Sequence, residues 1–265
     1  MSQIRQRPRW TAADEPHLIV RSLAGQFGAG QGTDRHAHPW RQLIYCTAGV
    51  MTVWTEAGAW VAPPHWAIWV PAGVAHQIRF AGACSLRTLY LRPDPPNTLQ
   101  GDGQPADCAV ITVSPLLREL VLRVIEQGML DERTPADRAM ALLIQGEVAR
   151  RDTAPFDLPM PVSQAARRAA DRMAADDAPT LGIAALADVV GLGPRTLERR
   201  FLAETGMTLA AWGRQARLLQ AMRRLAAGAP VKTVAAAAGY STASAFVTAF
   251  KGVFGETPGR YFGAA

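Results

Sequence analysis

The period of the apolar positions changes once along this chain, and the change divides it. From about residue 18 to 92 the apolar side chains come in short runs, alternating with polar ones or rich in β-branched and aromatic residues. The runs are Leu18–Leu23, Gln42–Cys46, Val50–Thr55, Ala67–Val70, His76–Phe80 and Ser85–Leu91. Turn formers punctuate them at Gly28–Gly32, Ala57–Gly58, Pro63–Pro64 and Pro71–Gly73. Runs of this length predict strands, and many strands at close spacing predict an antiparallel sandwich or small barrel. A loop dense in Pro, Gly, Asp and Asn follows at Pro93–Pro105. Beyond it Leu116, Leu117, Leu120, Val121, Val124 and Ile125 recur at three and four residues, which predicts an amphipathic helix opened by Ser114 and Pro115. A second helix is expected over about Thr134–Arg151, with Ala139, Leu142, Leu143, Gly146 and Val148 along its packed side. Asp152–Pro161, with prolines at 155, 159 and 161, reads as a linker. After it the pattern is helical: about 162–176, 182–190, 194–204, 208–227, 231–238, 242–254 and a tail near 258–263. The expected fold class is α+β, an antiparallel β-barrel followed by an all-α region.

The helical half repeats itself. Leu186-Ala187-Asp188-Val189-Val190-Gly191-Leu192 leads into Gly193-Pro194-Arg195-Thr196-Leu197-Glu198-Arg199-Arg200-Phe201. Gly239 stands 48 residues after Gly191, in Val234-Ala235-Ala236-Ala237-Ala238-Gly239-Tyr240, which leads into Ser241-Thr242-Ala243-Ser244-Ala245-Phe246-Val247-Thr248-Ala249-Phe250. Each copy has a small residue four positions before a Gly, then an apolar residue, then a fresh helix start. A small residue lets two helices cross closely, and a Gly ends the first helix in a left-handed conformation at no steric cost. Leu197 and Phe201, or Phe246 and Phe250, four apart, would bury against the first helix and leave the other side of the second free to enter a major groove. One copy alone would be a common helical hairpin. Two copies joined by a helix of about 30 Å match one turn of duplex DNA.

Charge sharpens that reading. Residues 160–265 carry 13 Lys and Arg against 7 acids, whereas residues 1–159 carry 15 of each, so the whole net charge of +6 lies in the helical half. Clustered cations gain by releasing the counterions condensed on phosphates. With 49% hydrophobic and 19% charged residues the composition is that of a packed globular protein. No apolar run is long enough for a membrane span, and no apolar core follows the basic Met1–Arg9 as in a signal peptide. A cytoplasmic location is expected. Cys46, Cys84 and Cys108, odd in number and without CxxC spacing, read as reduced thiols, Cys46 as core.

The helical half, about 162–263, resembles the DNA-binding domain of the AraC/XylS family of transcription regulators. The tail Gly239-Tyr240-Ser241, Ala249-Phe250-Lys251 and Phe254-Gly255-Glu256-Thr257-Pro258-Gly259-Arg260-Tyr261 matches that family's signature. The resemblance implies seven helices with two helix-turn-helix units, double-stranded DNA as partner and RNA polymerase as a further candidate. It implies that Arg195, Thr196, Glu198 and Arg199 read bases from the first recognition helix, and that Ala243, Ser244 and Thr248 lie on the second, with Lys251 and Arg260 near phosphates. Thr248 stands where some members carry a base-reading Arg, so the second helix is expected to add phosphate and thymine-methyl contacts.

The β half carries a second constellation. Gly30, five residues, His36-Ala37-His38, three residues, Gln42, six residues and Gly49 form one motif; Pro71-Ala72-Gly73, two residues and His76 form another. Together they resemble the two motifs of cupin barrels, in which HxH, a Glu and a later His ligate a divalent metal. HxH in a strand points both imidazoles the same way. Gln42 departs from that pattern, being neutral and a weaker ligand than Glu. His36, His38, Gln42 and His76 thus either hold a divalent ion (Zn, Ni, Fe or Mn) or hydrogen-bond within a pocket that binds a ligand. Five of the seven tryptophans fall between 40 and 69. Trp40, Trp54 and Trp69 are candidates to line an apolar effector pocket, with core packing as the alternative. The resemblance to cupin-bearing members of the family implies a small-molecule effector and a homodimer formed through the helices near 114–151. The expected domains are a cupin-like sensor at 1–110, a helical dimerisation region and linker at 111–160, and the double helix-turn-helix domain at 161–265. The expected function is an effector- or metal-controlled transcription regulator, with a cupin metalloenzyme bearing an accessory DNA-binding domain as the alternative.

Overall fold

The structure is a computed structural model that describes residues 16–93, 104–150, 157–175 and 181–263. Of the expectations above, most of the loop (94–103), the start of the linker (152–156) and position 176 lie outside the described residues. The chain divides into two compact units, residues 1–55 with 60–154, and residues 56–59 with 155–265.

The first unit runs β1 (Leu18–Phe27), β2 (Arg41–Cys46), β3 (Val50–Trp54), β4 (Gly58–Ala62), β5 (Trp66–Val70), β6 (Gln77–Ala81), β7 (Cys84–Leu91), β8 (Ala109–Thr112), α1 (Pro115–Gln127), β9 (Met129–Asp131) and α2 (Pro135–Ala149). One sheet has the order β8-β5-β2-β7-β1-β9, and in a second β4, β3 and β6 lie side by side. Alternation of side chains gives the larger sheet two faces with different duties. On one, Leu43, Tyr45, Ala67, Trp69, Leu89, Leu91 and Ile111 form a single core with Leu117, Val121 and Val124 of α1 and Ala141, Ile144 and Val148 of α2. Each Val, Leu or Ile there contributes about 1.5–3 kcal/mol by leaving water. The other face looks toward the second sheet, as the 3.7 Å contact between Cys46 Sγ and Met51 Sδ of β3 requires. Across it the register lines up Arg21 of β1, Tyr90 of β7, Gln42 of β2 and Val70 of β5.

The structure corrects the expectations in several places. β4, β8 and β9 belong to no predicted strand. β4 begins at Gly58, inside the Ala57–Gly58 pair read as punctuation, and all five of its residues are buried, so it shows no alternation. α2 lies where its start signal puts it but turns a different side inward. Asp137, Ala141, Ile144, Gln145 and Val148 are buried, while Ala139, Leu143 and Gly146 are exposed. Three buried polar residues, Asp137, Gln145 and Glu147, hide its inward side from an apolar pattern. Asp137 belongs there because its carboxylate accepts from Gln127 Nε2 and from the Asp131 backbone N–H, tying α2 to α1 and β9.

The second unit runs β10 (Asp157–Pro159), α3 (Gln164–Ala174), α4 (Ile183–Val190), α5 (Pro194–Thr205), α6 (Leu209–Ala226), α7 (Val231–Ala237), α8 (Ala243–Phe254) and α9 (Pro258–Gly263). The sequence repeat is also a repeat of hydrogen bonds. Gly191 at φ 73° and Gly239 at φ 83° make the two turns. The next residue of each, Leu192 or Tyr240, donates its N–H back to the carbonyl of Ala187 or Ala235 at 3.0 Å. This is the six-to-one bond of a Schellman ending. Both alanines are buried, as are Leu197 and Phe201 of α5 and Phe246 and Phe250 of α8. Thr242 caps α8 by accepting from Ala245 N, and Thr208 caps α6 by accepting from Ala211 N. At 18 residues, α6 spans about 27 Å between the hairpins.

Candidate metal centre and nucleic-acid interface

His36 and His76 face one another across a two-residue bridge, each backbone N–H donating to the other's carbonyl at 2.9 and 2.8 Å. Two residues on, His38 falls on the same side, its backbone pinned by the Gly73 N–H, which donates to His38 O at 2.9 Å. That bond explains the Pro71-Ala72-Gly73 turn, with Gly73 at φ 78°. The three rings stand 4.4 to 5.9 Å apart, and one nitrogen from each lies within 4.8 Å of the others.

The hydrogen bonds decide what those nitrogens offer. His36 Nδ1 donates to Asp34 O at 2.8 Å, His38 Nδ1 to Trp40 O at 2.7 Å, and His76 Nδ1 to Val74 O at 2.9 Å. A carbonyl only accepts, so Nδ1 carries the proton in each ring and Nε2 carries a lone pair. Burial lowers the pKa of His38 and pushes His76 down to about 4, so neither ring gains a second proton at neutral pH. Gln42, itself buried, places Oε1 3.0 Å from Nε2 of both His38 and His76. Its amide is held that way round because Nε2 donates to Thr88 Oγ1 at 3.0 Å and Thr88 Oγ1 donates to Leu43 O at 3.0 Å. With Nδ1 protonated and Nε2 bare, three imidazole lone pairs and an amide oxygen converge, a set that fits a divalent cation of borderline softness. A proton on Nε2 of His38 or His76 is donated instead to Gln42 Oε1. The cluster can hold a metal ion.

Around it stand groups that the motifs did not name. The Tyr90 ring lies edge-on to His38 at 5.2 Å, and burial pushes its hydroxyl pKa up to about 12. Arg21, in register with Tyr90, is 8% exposed and holds its guanidinium 5.6 Å from the centre of the Trp40 ring. Thr88, Tyr90 and Arg21 join the site only through strand register, which no local pattern encodes.

The three tryptophans do not line one pocket, which corrects that expectation. Trp69 points to the opposite face, into the core shared with α1 and α2, where its Nε1 donates to Pro105 O at 3.0 Å. Trp54 pairs with Gln77 and alternates away from Val53 and Ile78, the residues on the His76 side. Trp40 alone lies beside the histidines, its carbonyl holding His38.

In the second unit the geometry sorts α5 and α8 into inner and outer sides. Arg195, Glu198 and Arg199 are exposed and Thr196 half-buried on α5; Ser244, Thr248 and Lys251 are exposed and Ala243 half-buried on α8. Arg200 and Arg260 are exposed as well. Thr248 Oγ1 donates to Ser244 O at 3.0 Å, one turn back along its own helix. The outer side of α5 is thus strongly charged, and that of α8 is short and neutral up to Lys251. No helix among the described residues is long and apolar enough to cross a membrane.

Two family profiles match the chain: the AraC-like ligand binding domain over residues 23–145 and a helix-turn-helix domain over residues 186–264. The HTH-type transcriptional regulator NimR of Escherichia coli is 29% identical over 235 residues, covering 87% of this chain and 84% of that protein. The HTH-type transcriptional regulator RipA of Corynebacterium diphtheriae is 32% identical over 102 residues, 38% of this chain and 30% of that one. Among solved structures, ToxT of Vibrio cholerae aligns over 92% of this chain and 97% of its own at 11% identity with a TM-score of 0.38.

Proposed function

This chain belongs to the AraC family of helix-turn-helix transcription regulators, is a ligand-responsive DNA-binding regulator rather than an enzyme, and, we propose, reads its operator chiefly through α5 while a divalent ion sits in the sensor. The carrying observation for the DNA reading is the contrast between the two recognition helices. α5 presents Arg195, Thr196, Glu198 and Arg199 outward, and an Arg can address O6 and N7 of guanine together, for about 1–3 kcal/mol of discrimination. α8 presents Ala243, Ser244 and Thr248, suited to thymine methyls and backbone, with Lys251 on phosphate. Arg199→Ala is expected to weaken operator binding by about tenfold or more while leaving binding to random duplex nearly unchanged. Equal losses on both in a gel-shift titration would reduce Arg199 to a phosphate contact.

The ion reading rests on the four converging acceptors of His36, His38, Gln42 and His76. Elemental analysis of protein purified without an affinity tag is expected to find one Zn, Ni, Fe or Mn per chain, and none in His36→Ala. A folded wild-type protein with no such ion, even after incubation with Zn2+, would retire the reading. The domain assignment that follows is a sensor over 1–110, a helical region over 111–160 and the DNA-binding domain over 161–265, working in the cytoplasm with the chromosome. The exposed Leu116 of α1 and Ala139, Leu143 and Gly146 of α2 support a homodimer through these helices. Leu143→Glu is expected to yield a monomer in sedimentation equilibrium.

A further inference from the structure

We propose that Cys46, Met51 and Cys84 form a second metal site, a buried three-sulfur cluster that takes a soft monovalent ion, Cu+. The site is independent of the histidine cluster and of the ion reading built on it. Its sulfurs come from three strands: Cys46 lies on β2, Met51 on β3 and Cys84 at the start of β7. Cys46 Sγ donates to Met51 Sδ at 3.7 Å, from one sheet to the other, and is also hydrogen-bonded to the Cys84 thiol. Cys84 Sγ in turn donates to Val50 O at 3.4 Å and to Ala81 O at 3.3 Å. All three residues are at most 1% exposed. Alternation puts Cys46 on the same face of β2 as Gln42 but four residues further on, about 13 Å along the strand. The two clusters are therefore separate sites on one face of the larger sheet.

The spacing and the donor types select the ion. A metal bonded to two sulfurs at about 2.3 Å holds them at an angle of about 107° when they stand 3.7 Å apart, so Cys46 and Met51 need not spread to receive it. Each thiol that becomes a ligand releases its proton to solvent, and the metal takes the place of that proton between the sulfurs. Thiolate and thioether are soft donors, the kind that selects Cu+. Zn2+ in a structural site asks for four ligands drawn from thiolate, imidazole and carboxylate, and a thioether is none of these. The local backbone is shaped to bring the sulfurs together. A Cβ at Gly49 would fall 2.3 Å from Cys84 Sγ, so the corner between β2 and β3 closes over that sulfur only with Gly in place. Thr47, Ala48 and Gly49 of this corner are half-buried, and Ala83, next to Cys84, is exposed. The sulfurs thus lie one layer beneath two turns, segments whose local opening admits an ion. An ion held there ties β2 and β7 of one sheet to β3 of the other.

The full-length protein, reduced and kept free of oxygen, is titrated against Cu+ held by bicinchoninate, whose colour falls as the protein withdraws the ion. Wild-type protein is expected to take up one Cu+ per chain, with an X-ray absorption spectrum that shows sulfur neighbours at about 2.3 Å. Cys46→Ala and Cys84→Ala are each expected to weaken uptake by at least about a hundredfold, and Met51→Leu, which keeps the volume, by about tenfold. His36→Ala and Cys108→Ser are expected to keep the wild-type affinity. Should an alanine variant fail to fold, Met51→Leu and the wild-type spectrum decide the matter. A folded wild-type protein that withdraws no Cu+ overturns the proposal. So does bound Cu+ that has nitrogen neighbours and is lost in His36→Ala, or that is lost in Cys108→Ser.

Discussion

Gly30 and Gly49 occupy equivalent places in the first sequence motif, and the structure gives them different tolerances. Both have positive φ, 77° and 80°. A Cβ on Gly30 would meet nothing within 4 Å, whereas one on Gly49 would lie 2.3 Å from Cys84 Sγ and 2.5 Å from Ala83 O. Gly30→Ala therefore pays only for its backbone conformation, about 1 kcal/mol. Gly49→Ala adds a clash with a backbone carbonyl that cannot swing aside, for about 3 kcal/mol in all. Urea unfolding midpoints of the two variants separate these outcomes; equal losses would mean that the β2–β3 corner relaxes freely. The same scale shows what a sequence can and cannot say about a site. His36, His38, Gln42 and His76 were legible because HxH and a third histidine carry their own chemistry. Thr88, which fixes the Gln42 amide, and Tyr90 and Arg21 beside it are ordinary strand residues. Their roles come from the cross-strand register that sets Arg21, Tyr90 and Gln42 abreast.

Elements were legible where a cap or a clean period marks them. Ser114 is such a mark. Its Oγ accepts from Leu117 N to cap α1 and also donates to Glu147 Oε2 of α2, a carboxylate 9% exposed that takes Arg150 Nη1 on its other oxygen. Ser114→Ala removes a cap worth about 1 kcal/mol and strands one oxygen of a buried carboxylate, so a loss of about 2–3 kcal/mol is expected. Thr242→Ala at α8 removes only a cap on an exposed turn and is expected to cost about 1 kcal/mol. Thermal unfolding of both distinguishes a structural cap from one that also joins two helices. What the sequence hid were elements whose neighbours, not their own residues, make them. β9 is three residues long and exists because β1 offers it a partner. The inward side of α2 escapes an apolar pattern because Asp137, Gln145 and Glu147 are buried on it. Polar side chains do so when a partner waits, as the Asp131 N–H does for Asp137. The helical repeat lay at the other extreme. Its Ala-Gly-apolar pattern is a local rule for ending one helix and starting the next, and the structure obeys it twice with the same hydrogen bond.

At the scale of the second unit, the hairpins α4–α5 and α7–α8 precede and follow one helix of 18 residues, and if α5 and α8 are the recognition helices proposed above, that spacing has a consequence for the operator. About 27 Å of helix sets the two hairpins at a separation that suits successive major grooves on one side of the duplex. Inserting five base pairs between the half-sites turns the second groove to the far side, where α8 no longer reaches it. If α8 contributes phosphate and methyl contacts while α5 carries most of the sequence reading, the two halves of the operator respond unequally. A base change under Arg195 or Arg199 is expected to cost about 1–3 kcal/mol, and one under Ser244 or Thr248 clearly less. The five-base-pair insertion is expected to cost more than any single change in the α8 half, because it removes the Lys251 phosphate contact along with the groove contacts. It is also expected to flatten the dependence of affinity on salt, since each lost phosphate contact removes close to one unit from the slope of log K against log salt. Gel-shift titrations on the inserted and native operators at three salt concentrations measure both effects. An insertion that lowers affinity without changing the salt slope would mean that α8 touches bases and leaves the backbone alone, the reverse of what its short neutral outer side and single lysine imply.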